Sequence, residues 1–445
     1  MKVAIIGTGY VGLPTGVGLA ELGHEVVCID REISKITKLQ SGEVTLYEDG
    51  LESLLKKNIE RGTIKFTTNM AEGIKDAAIV IIAVGTPPHP VTHEADLHYL
   101  YSAASELAHC ISSYTVVATK STVPVGTGDS IESLIQKTCP NVEFDVISLP
   151  EFLREGYAVY DFFHPDRIVI GANSQKAKDV VAALYQPLLE HSPNTHVLYV
   201  SRRSSETIKY AANSFLATKI HFINEMADFC EKAGANIYEV ASGMGLDRRI
   251  GSAFLNPGPG FGGSCFPKDT MALDFMARQN DLQMSLVHAT IDGNNKRIEG
   301  MAERILQVLE PLDARRDIVV GIWGLAFKEG TDDCRVSPAM QIVESLLKRN
   351  YKLALQVYDP QAMENAKFLL QDYEERITFA SSALEAATGV DVLAILTEWP
   401  EFKQLEGDDL AKVMRNKAVV DCRNMLLTQR EHLQALGFVY RGIGL

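Results

Sequence analysis

Short runs that are apolar almost from end to end alternate with helix-period segments over the first two hundred residues, and this alternation constrains the fold more than any other feature of the chain. Lys2–Ile6, Glu25–Ile29, residues 78–84, Thr115–Thr119 and residues 145–147 have this character, with Arg167–Gly171 and His196–Val200 as later strands. A strand that is apolar on both faces must be covered on both, so the pattern predicts a parallel sheet between helical layers. From Ser204 to about Ile298 strand signals nearly vanish. Apolar residues there recur at three- and four-residue spacing in IKYAANSFLATKIHFINEMADFCEKAG, which predicts one long helix stopped by Gly234. Alternation returns from Asp317 with IVVGIWG, LALQVYD, ITFA, DVLAILT and AVVDC. VYDP at 357–360 follows a strand as CIDR does at 28–31, so the last third reads as a diverged second copy of the first.

The expected fold class is α/β, with two Rossmann-like doubly wound parallel sheets joined by a helical middle domain that contains the long helix. The domains are expected at 1–200, 201–300 and 301–445, a division that suits 445 residues. No run of eighteen apolar residues is present, so no membrane span is expected. The start, MKVAIIGTGYVGL, enters a strand directly and lacks signal-peptide features, which points to the cytoplasm. Seven cysteines, none in CxxC spacing, argue against a disulfide framework or a zinc knuckle. A net charge of -14 excludes a polyanion such as nucleic acid as the expected partner, while a small phosphate-bearing ligand needs only local positive charge.

Gly7, Gly9 and Gly12 form GTGYVG between the strand KVAII and the helical pattern of residues 13–22. A lone GxGxxG is weak, but here the turn follows a strand, opens a helix, and precedes a second strand ending in Asp30. Gly7 permits the tight turn, Gly9 lets backbone N–H groups approach a pyrophosphate, and Gly12 allows close helix–strand packing. The helix N-terminus favours the anion, and Asp30 would accept from the adenosine ribose while disfavouring a 2′-phosphate, so NAD is expected; Arg31 is the one hint towards NADP. Thr86, Ser121 and Thr122 follow other strands of the sheet and point to the same crevice.

The segment Asn256-Pro-Gly-Pro-Gly-Phe-Gly-Gly-Ser-Cys-Phe-Pro-Lys-Asp269 is the most unusual in the chain. Four glycines in six residues imply unusual dihedrals or a close approach. Cys265 follows them, and Pro267, Lys268 and Asp269 begin a helix pattern. A helix N-terminus and a lysine both favour the thiolate, so Cys265 is a candidate nucleophile, although a buried cysteine beside a tight turn reads the same way.

GTGYVGL at 7–13, VGTP at 84–87, KSTVPVGT at 120–127, PEFLREG at 150–156, PDRIVIG at 165–171, KYAANSFLATKI at 209–220, FGGSCFPKD at 261–269 and GLAFKEGTDDCRVSP at 324–338 run along nearly the whole chain. In these motifs the chain resembles the UDP-glucose/GDP-mannose dehydrogenase family. The resemblance implies two successive oxidations by NAD of a nucleotide sugar, UDP-glucose, to UDP-glucuronate. GDP-mannose or an N-acetylated UDP-sugar is the alternative; PEFLREG and PDRIVIG look more like the UDP-glucose type. A homodimer through the long helix of the middle domain is implied as well.

The implied site residues follow the matching motifs. Cys265 would attack the C6 aldehyde, giving a thiohemiacetal and then a thioester. Lys209 and Asn213, four apart and so on one helix face, would stabilise the oxyanion. Asp269, helped by Thr122, would position or activate water, and Glu151 would be the base for hydrolysis. Spacing alone does not choose between Glu151 and Asp269 as base. Implied NAD contacts are Gly7, Gly9, Tyr10, Val11, Gly12, Asp30, Lys35, Thr86, Ser121, Thr122, Glu155, Lys268 and Arg335. Implied nucleotide-sugar contacts are Glu151, Phe152, Leu153, Arg154, Lys209, Asn213, Arg249, Phe254, Asn256, Gly258, Gly262, Phe327, Lys328 and Arg423. No metal is implied, and the His89/His93/His98 group lacks the carboxylate or cysteine that would complete a site. Two departures from the family pattern are Leu149, where asparagine is usual, and Asp49, where proline is usual. Leu149 removes a polar group beside the substrate loop.

Overall fold

The structure is a computed structural model that describes residues 1–89, 92, 94–310, 318–349 and 352–445. It divides into two compact units, one of Met1–Ala212 with Met271–Leu282 and one of Asn213–Thr270 with Gln283–Leu445.

The first unit holds β1 (Lys2–Ile6), β2 (Glu25–Ile29), β3 (Ile64–Thr67), β4 (Ile79–Ile82), β5 (Thr115–Thr119), β6 (Phe144–Ser148), β7 (Arg167–Gly171) and β8 (His196–Val200). They form one sheet in the order β3-β2-β1-β4-β5-β6-β7-β8. The order reverses between β1 and β4, which opens the crevice where ligands of such sheets lie. Side chains alternate across the sheet, so each face has its own core. Val3, Ile5, Val26, Cys28, Ile79 and Ile81 pack on one side, and Ala4, Ile6, Ile29, Val80 and Ile82 on the other. Each such aliphatic side chain contributes roughly 1.5–3 kcal/mol when fully buried. All neighbours pair in parallel except β6 and β7, which meet antiparallel at Ser148 and Gly171. The segment between them, with the short helix Ala158–Phe163, turns the chain back instead of carrying it over the sheet.

The second unit has β9 (Ile318–Trp323), β10 (Leu353–Tyr358), β11 (Ile377–Phe379), β12 (Val392–Ile395), β13 (Ala418–Asp421) and β14 (Val439–Arg441), in the all-parallel order β11-β10-β9-β12-β13-β14. Its first turn repeats that of the first unit. Gly7 has φ 98° and donates to Ile29 O at 2.8 Å; Gly324 has φ 93° and donates to Tyr358 O at 2.8 Å. Asp30 accepts from Thr8 N at 3.0 Å, and Asp359 accepts from Leu325 N at 2.7 Å. A diverged second copy thus keeps the glycine turn and the aspartate that braces it. Asp359 is fully buried and also accepts from Trp399 Nε1, so in the second copy the carboxylate is spent on the fold.

Among the described residues no strand lies between β8 and β9. The long helix is Arg202–Ala233, ended by Gly234 at φ 72°. No described helix is long and apolar enough to cross a membrane. The edge strands β3 and β14 went unread in the sequence. Asp317 and His93 lie outside the described residues.

Candidate active site

The dinucleotide turn is built on backbone contact. A Cβ on Gly12 would sit 1.9 Å from Gly7 O, and one on Gly7 would sit 2.6 Å from Ala83 O. A Cβ on Gly9 would meet nothing within 4 Å, so open space lies where a ligand must approach. Helix Gly12–Glu21 has no side-chain cap at its start and no acidic residue in its first turn. That leaves orphan N–H groups facing the open space, which fits the pyrophosphate of NAD. Asp30 Oδ2 accepts from Thr8 N and Thr8 Oγ1, with Lys35 Nζ at 3.7 Å. Burial alone would raise its carboxyl, but the Thr8 and Glu32 hydrogen bonds and the Lys35 charge outweigh that and hold it below the ordinary range. Asp30 is therefore an ionised acceptor at the end of β2, as recognition of a ribose requires. Arg31 lies over the Tyr99 ring at 4.6 Å. Thr86 Oγ1 donates to Thr122 O, and Ser121 Oγ to Val84 O at 2.6 Å, so these hydroxyls tie the β4 and β5 loop ends together.

The same unit holds a buried ion pair. Lys209 Nζ lies 2.9 Å from Glu151 Oε1, each side chain being 5% exposed, and Glu151 Oε2 accepts from Leu153 N. Phe152 is flanked by the Arg167 guanidinium at 3.9 Å and the Lys209 ammonium at 5.3 Å. Lys120, at the end of β5, is buried as well. Burial pulls its ammonium down to about 8, against the opposing attraction of Glu151. Arg154 is bidentate to Asp161, and Glu155 is half-buried. Glu48 accepts from Gly156 N at 2.6 Å and Ala158 N at 3.0 Å, which shapes the loop after PEFLREG. Leu149, directly before that loop, is 1% exposed and packs in the sheet core in one cluster with Leu153, where an apolar residue suits the packing.

In the second unit Cys265 is half-buried and immediately precedes helix Phe266–Gln279. Its Sγ lies 3.7 Å from Ser264 Oγ. Asp269, fully buried in the first turn, accepts from Asn213 Nδ2 at 2.6 Å and pairs with Lys268 Nζ at 2.6 Å. Burial pushes the Cys28 and Cys422 thiols up to about 12, which makes them poor nucleophiles.

The glycines before Cys265 are there for close approach. A Cβ on Gly258 would lie 2.8 Å from Arg423 Nη1, one on Gly262 would lie 2.4 Å from Val336 O, and one on Gly263, at φ 80°, would lie 2.7 Å from the Phe327 ring. Phe254 (φ 64°) and Val336 (φ 50°) are non-glycine residues in the left-handed region, costing of order 1–3 kcal/mol each. Asn256 at the loop's start is exposed. Arg423 Nε pairs with Glu398 at 2.9 Å, Arg335 is bidentate to Asp333, and Lys328 lies over the Phe327 ring at 5.6 Å. Arg249 pairs with Asp247 two residues before it and remains 89% exposed. Sequence reasoning missed the clamp on this loop. Asn224 Oδ1 accepts from Gly258 N at 2.8 Å, Arg297 Nε donates to Gly258 O at 3.0 Å, and Asn294 accepts from Phe261 N. These partners are 33 to 39 residues away in sequence and carried no local signal.

The chain matches the UDP-glucose/GDP-mannose dehydrogenase family in all three of its parts: the NAD binding domain over residues 1–189, the central domain over 203–296 and the UDP binding domain over 321–428. A UDP-glucose 6-dehydrogenase of Rhizobium meliloti is 45% identical over 450 residues, covering 100% of this chain and 99% of that protein.

The chain belongs to the UDP-glucose/GDP-mannose dehydrogenase family.

It is accordingly an NAD-dependent oxidoreductase, in keeping with the glycine turn and the Asp30 acceptor. The UDP-glucose 6-dehydrogenase TuaD of Bacillus subtilis is 42% identical, covering 100% of this chain and 93% of that protein. Among solved structures, a UDP-glucose dehydrogenase from Pyrobaculum islandicum superposes with a TM-score of 0.87 at 37% identity, covering 95% of this chain and 94% of that one. A UDP-D-ManNAc dehydrogenase from Pyrococcus horikoshii superposes at 0.85 with 28% identity, covering 100% of this chain and 99% of that one.

Proposed function

We propose that this chain is a UDP-glucose 6-dehydrogenase that oxidises the primary alcohol of UDP-glucose to the carboxylate of UDP-glucuronate, with Cys265 as covalent nucleophile. The observation that carries this is Cys265 itself, a half-buried thiol at a helix start, in the same turn as an aspartate held by Asn213 and Lys268. Full-length likeness to UDP-glucose 6-dehydrogenases supports the choice of sugar. NAD, when bound, accepts the two electrons of each oxidation, so two molecules are consumed per sugar.

Gly7, Gly9, Gly12 and Asp30 hold the dinucleotide, and Arg249, Lys328, Arg423 and the 254–262 loop hold the nucleotide sugar. Lys209 and Asn213 donate to the C6 oxygen as its charge develops. The Cys265 thiolate adds to the C6 aldehyde, which keeps it in place as a thiohemiacetal until the second oxidation yields the thioester. Glu151 takes the proton of the water that hydrolyses the thioester and releases Cys265. Asp269 holds Asn213 and Lys268. We assign residues 1–200 to cofactor binding, 201–300 to the helical middle and 301–445 to the UDP-sugar.

A panel of UDP-glucose, UDP-galactose, GDP-mannose and N-acetylated UDP-sugars is expected to give two NADH per sugar, with UDP-glucose the preferred substrate by kcat/KM. One NADH per sugar would point instead to a simple two-electron alcohol dehydrogenase.

The assembly we propose is a homodimer through the long helix. Phe215, Phe222 and Phe229 recur every seven residues there and are 64%, 44% and 62% exposed, an apolar stripe suited to a second copy. Wild type is expected to sediment as a dimer and Phe222→Asp as a monomer. Monomeric wild type, or a variant that remains dimeric, refutes this interface. None of the seven cysteines is in a disulfide, which supports a reducing, cytoplasmic setting.

A further inference from the structure

Three ionisable side chains meet in the interior of the first unit, and their charges do not balance. Lys120, Glu151 and Lys209 are each at most 6% exposed. Lys120 follows β5 and Glu151 lies just beyond β6, two strands paired at Thr119 and Ser148. Lys209 is on the long helix, which is fastened to the same region. Ser205 Oγ donates to Ser148 O at 3.3 Å, and Glu206 accepts from Gly126 N at 2.6 Å and Gly128 N at 2.8 Å. Two ammonium groups thus act on one carboxylate, an excess of one positive charge when all three are ionised.

Glu151 has a partner on each oxygen, Lys209 Nζ on Oε1 and Leu153 N on Oε2. Lys120 is drawn to it by charge and opposed by Lys209. A buried ammonium that shares its carboxylate with another cation is a cost to the fold, so the fold does not explain Lys120. The reaction does. Lys209 has two tasks, to neutralise Glu151 and to donate to the C6 oxygen as its charge develops. When it does the second, Glu151 needs another cation. We propose that Lys120 is a positioning residue for the reaction, a reserve counter-ion that holds Glu151 in place while Lys209 serves the C6 oxygen, and that turnover follows the charge on Lys120. This rests on the assignment of Glu151 and Lys209 to the oxidation of UDP-glucose.

Burial is the largest influence on Lys120 and pulls its ammonium down to about 8; Glu151 beyond β6 opposes this, and Lys209 on the long helix adds to it. Arg167 of β7, a further cation of the region, lies over the Phe152 ring at 3.9 Å. The charge on Lys120 is therefore present at neutral pH and lost as pH rises through about 8, and turnover is expected to fall with it. The fold responds in the opposite sense. In the unfolded chain the lysine keeps its proton up to about 10.5, so the folded state carries a penalty at neutral pH that is relieved as pH rises from about 8 to about 10.5.

The test is UDP-glucose oxidation by the full chain from about pH 6.5 to about pH 10, in wild type, Lys120→Met and Lys120→Arg, with thermal midpoints measured alongside. Lys120→Met is expected to lose at least about tenfold in kcat near pH 7, with KM for UDP-glucose changed less than about twofold. The ratio of wild-type to variant kcat is expected to shrink towards one above about pH 9. The same variant is expected to unfold at least about 2 °C higher than wild type near pH 7, a gain that shrinks by about pH 10. Arginine keeps its charge over this range, so Lys120→Arg is expected to recover most of the lost kcat and to hold it past about pH 9. Should the larger guanidinium not be accommodated, the two Lys120→Met readouts decide alone. A kcat ratio constant with pH would make Lys120 merely structural, and one that grows with pH would make it a base acting as the free amine. Either overturns the proposal, as does undiminished kcat in Lys120→Met. A Lys120→Met chain less stable than wild type near pH 7 overturns the unbalanced buried charge. If wild type is inert towards UDP-glucose, the proposed reaction fails and the role of Lys120 with it, whereas an active wild type with a constant ratio refutes the role of Lys120 alone.

Discussion

Cys265→Ser is expected to lose at least about a hundredfold in NADH formation from UDP-glucose while keeping its thermal midpoint within a few degrees of wild type. The substitution exchanges one small side chain for another at a half-buried position beside Ser264, so packing changes little. What changes is nucleophilicity. A thiolate forms near neutral pH when a helix start favours it, whereas a serine hydroxyl needs a base to remove its proton. Without the sulfur adduct the aldehyde is not retained for the second oxidation. Steady-state NADH formation and the yield of UDP-glucuronate are the readouts, and undiminished oxidation in the serine variant would sink the covalent mechanism.

Lys209→Met is expected to cost both stability and activity. Lys209 and Glu151 are each nearly inaccessible, and removing one partner of such a pair leaves a buried charge uncompensated, at about 3–5 kcal/mol. Lys120, whose charge also attracts Glu151, moves the expected cost towards the lower end. Turnover should fall by about a hundredfold or more if Lys209 stabilises the oxyanion. The double variant Lys209→Met/Glu151→Gln separates the two effects. It is expected to regain at least half of the lost unfolding free energy in urea, because the uncompensated Glu151 carboxylate is gone and Lys120 beside it is already drawn down to about 8, yet to stay inactive. A single variant within about 1 kcal/mol of wild type would show that the pair contributes little to the fold.

The dinucleotide turn was legible because its chemistry is local. Gly7, Gly9, Gly12 and Asp30 lie on one strand–turn–helix–strand unit; Gly7 and Gly12 are required by backbone within that unit or on the adjacent strand, and Gly9 borders open space. The long helix was legible for the same reason, since periodicity over many residues and a stop at Gly234 need no tertiary partner. The placement of Cys265 at a helix start was also in the spacing, as Pro267 and Asp269 are favoured in a first turn. Leu149 shows the opposite case. A departure from a motif suggested a changed polar contact, but a strand end can turn a side chain into the core or out of it, and here it turns in.

By itself the amino-acid sequence determined two largely parallel sheets, a helical segment between them, a dinucleotide turn and a cysteine at the start of a helix. Those features depend on periodicity and on backbone freedom over a few consecutive residues. Only the tertiary structure decided which charges are paired and which are open. Lys209 finds Glu151 from 58 residues away, Asn213 finds Asp269 from 56, and Gly258 is held by Asn224 and Arg297. In sequence each of these is an ordinary polar residue on a helix or loop. Burial makes the difference, because in an interior of low dielectric an ionised or hydrogen-bonding group must meet a partner, and the fold alone decides which one it meets.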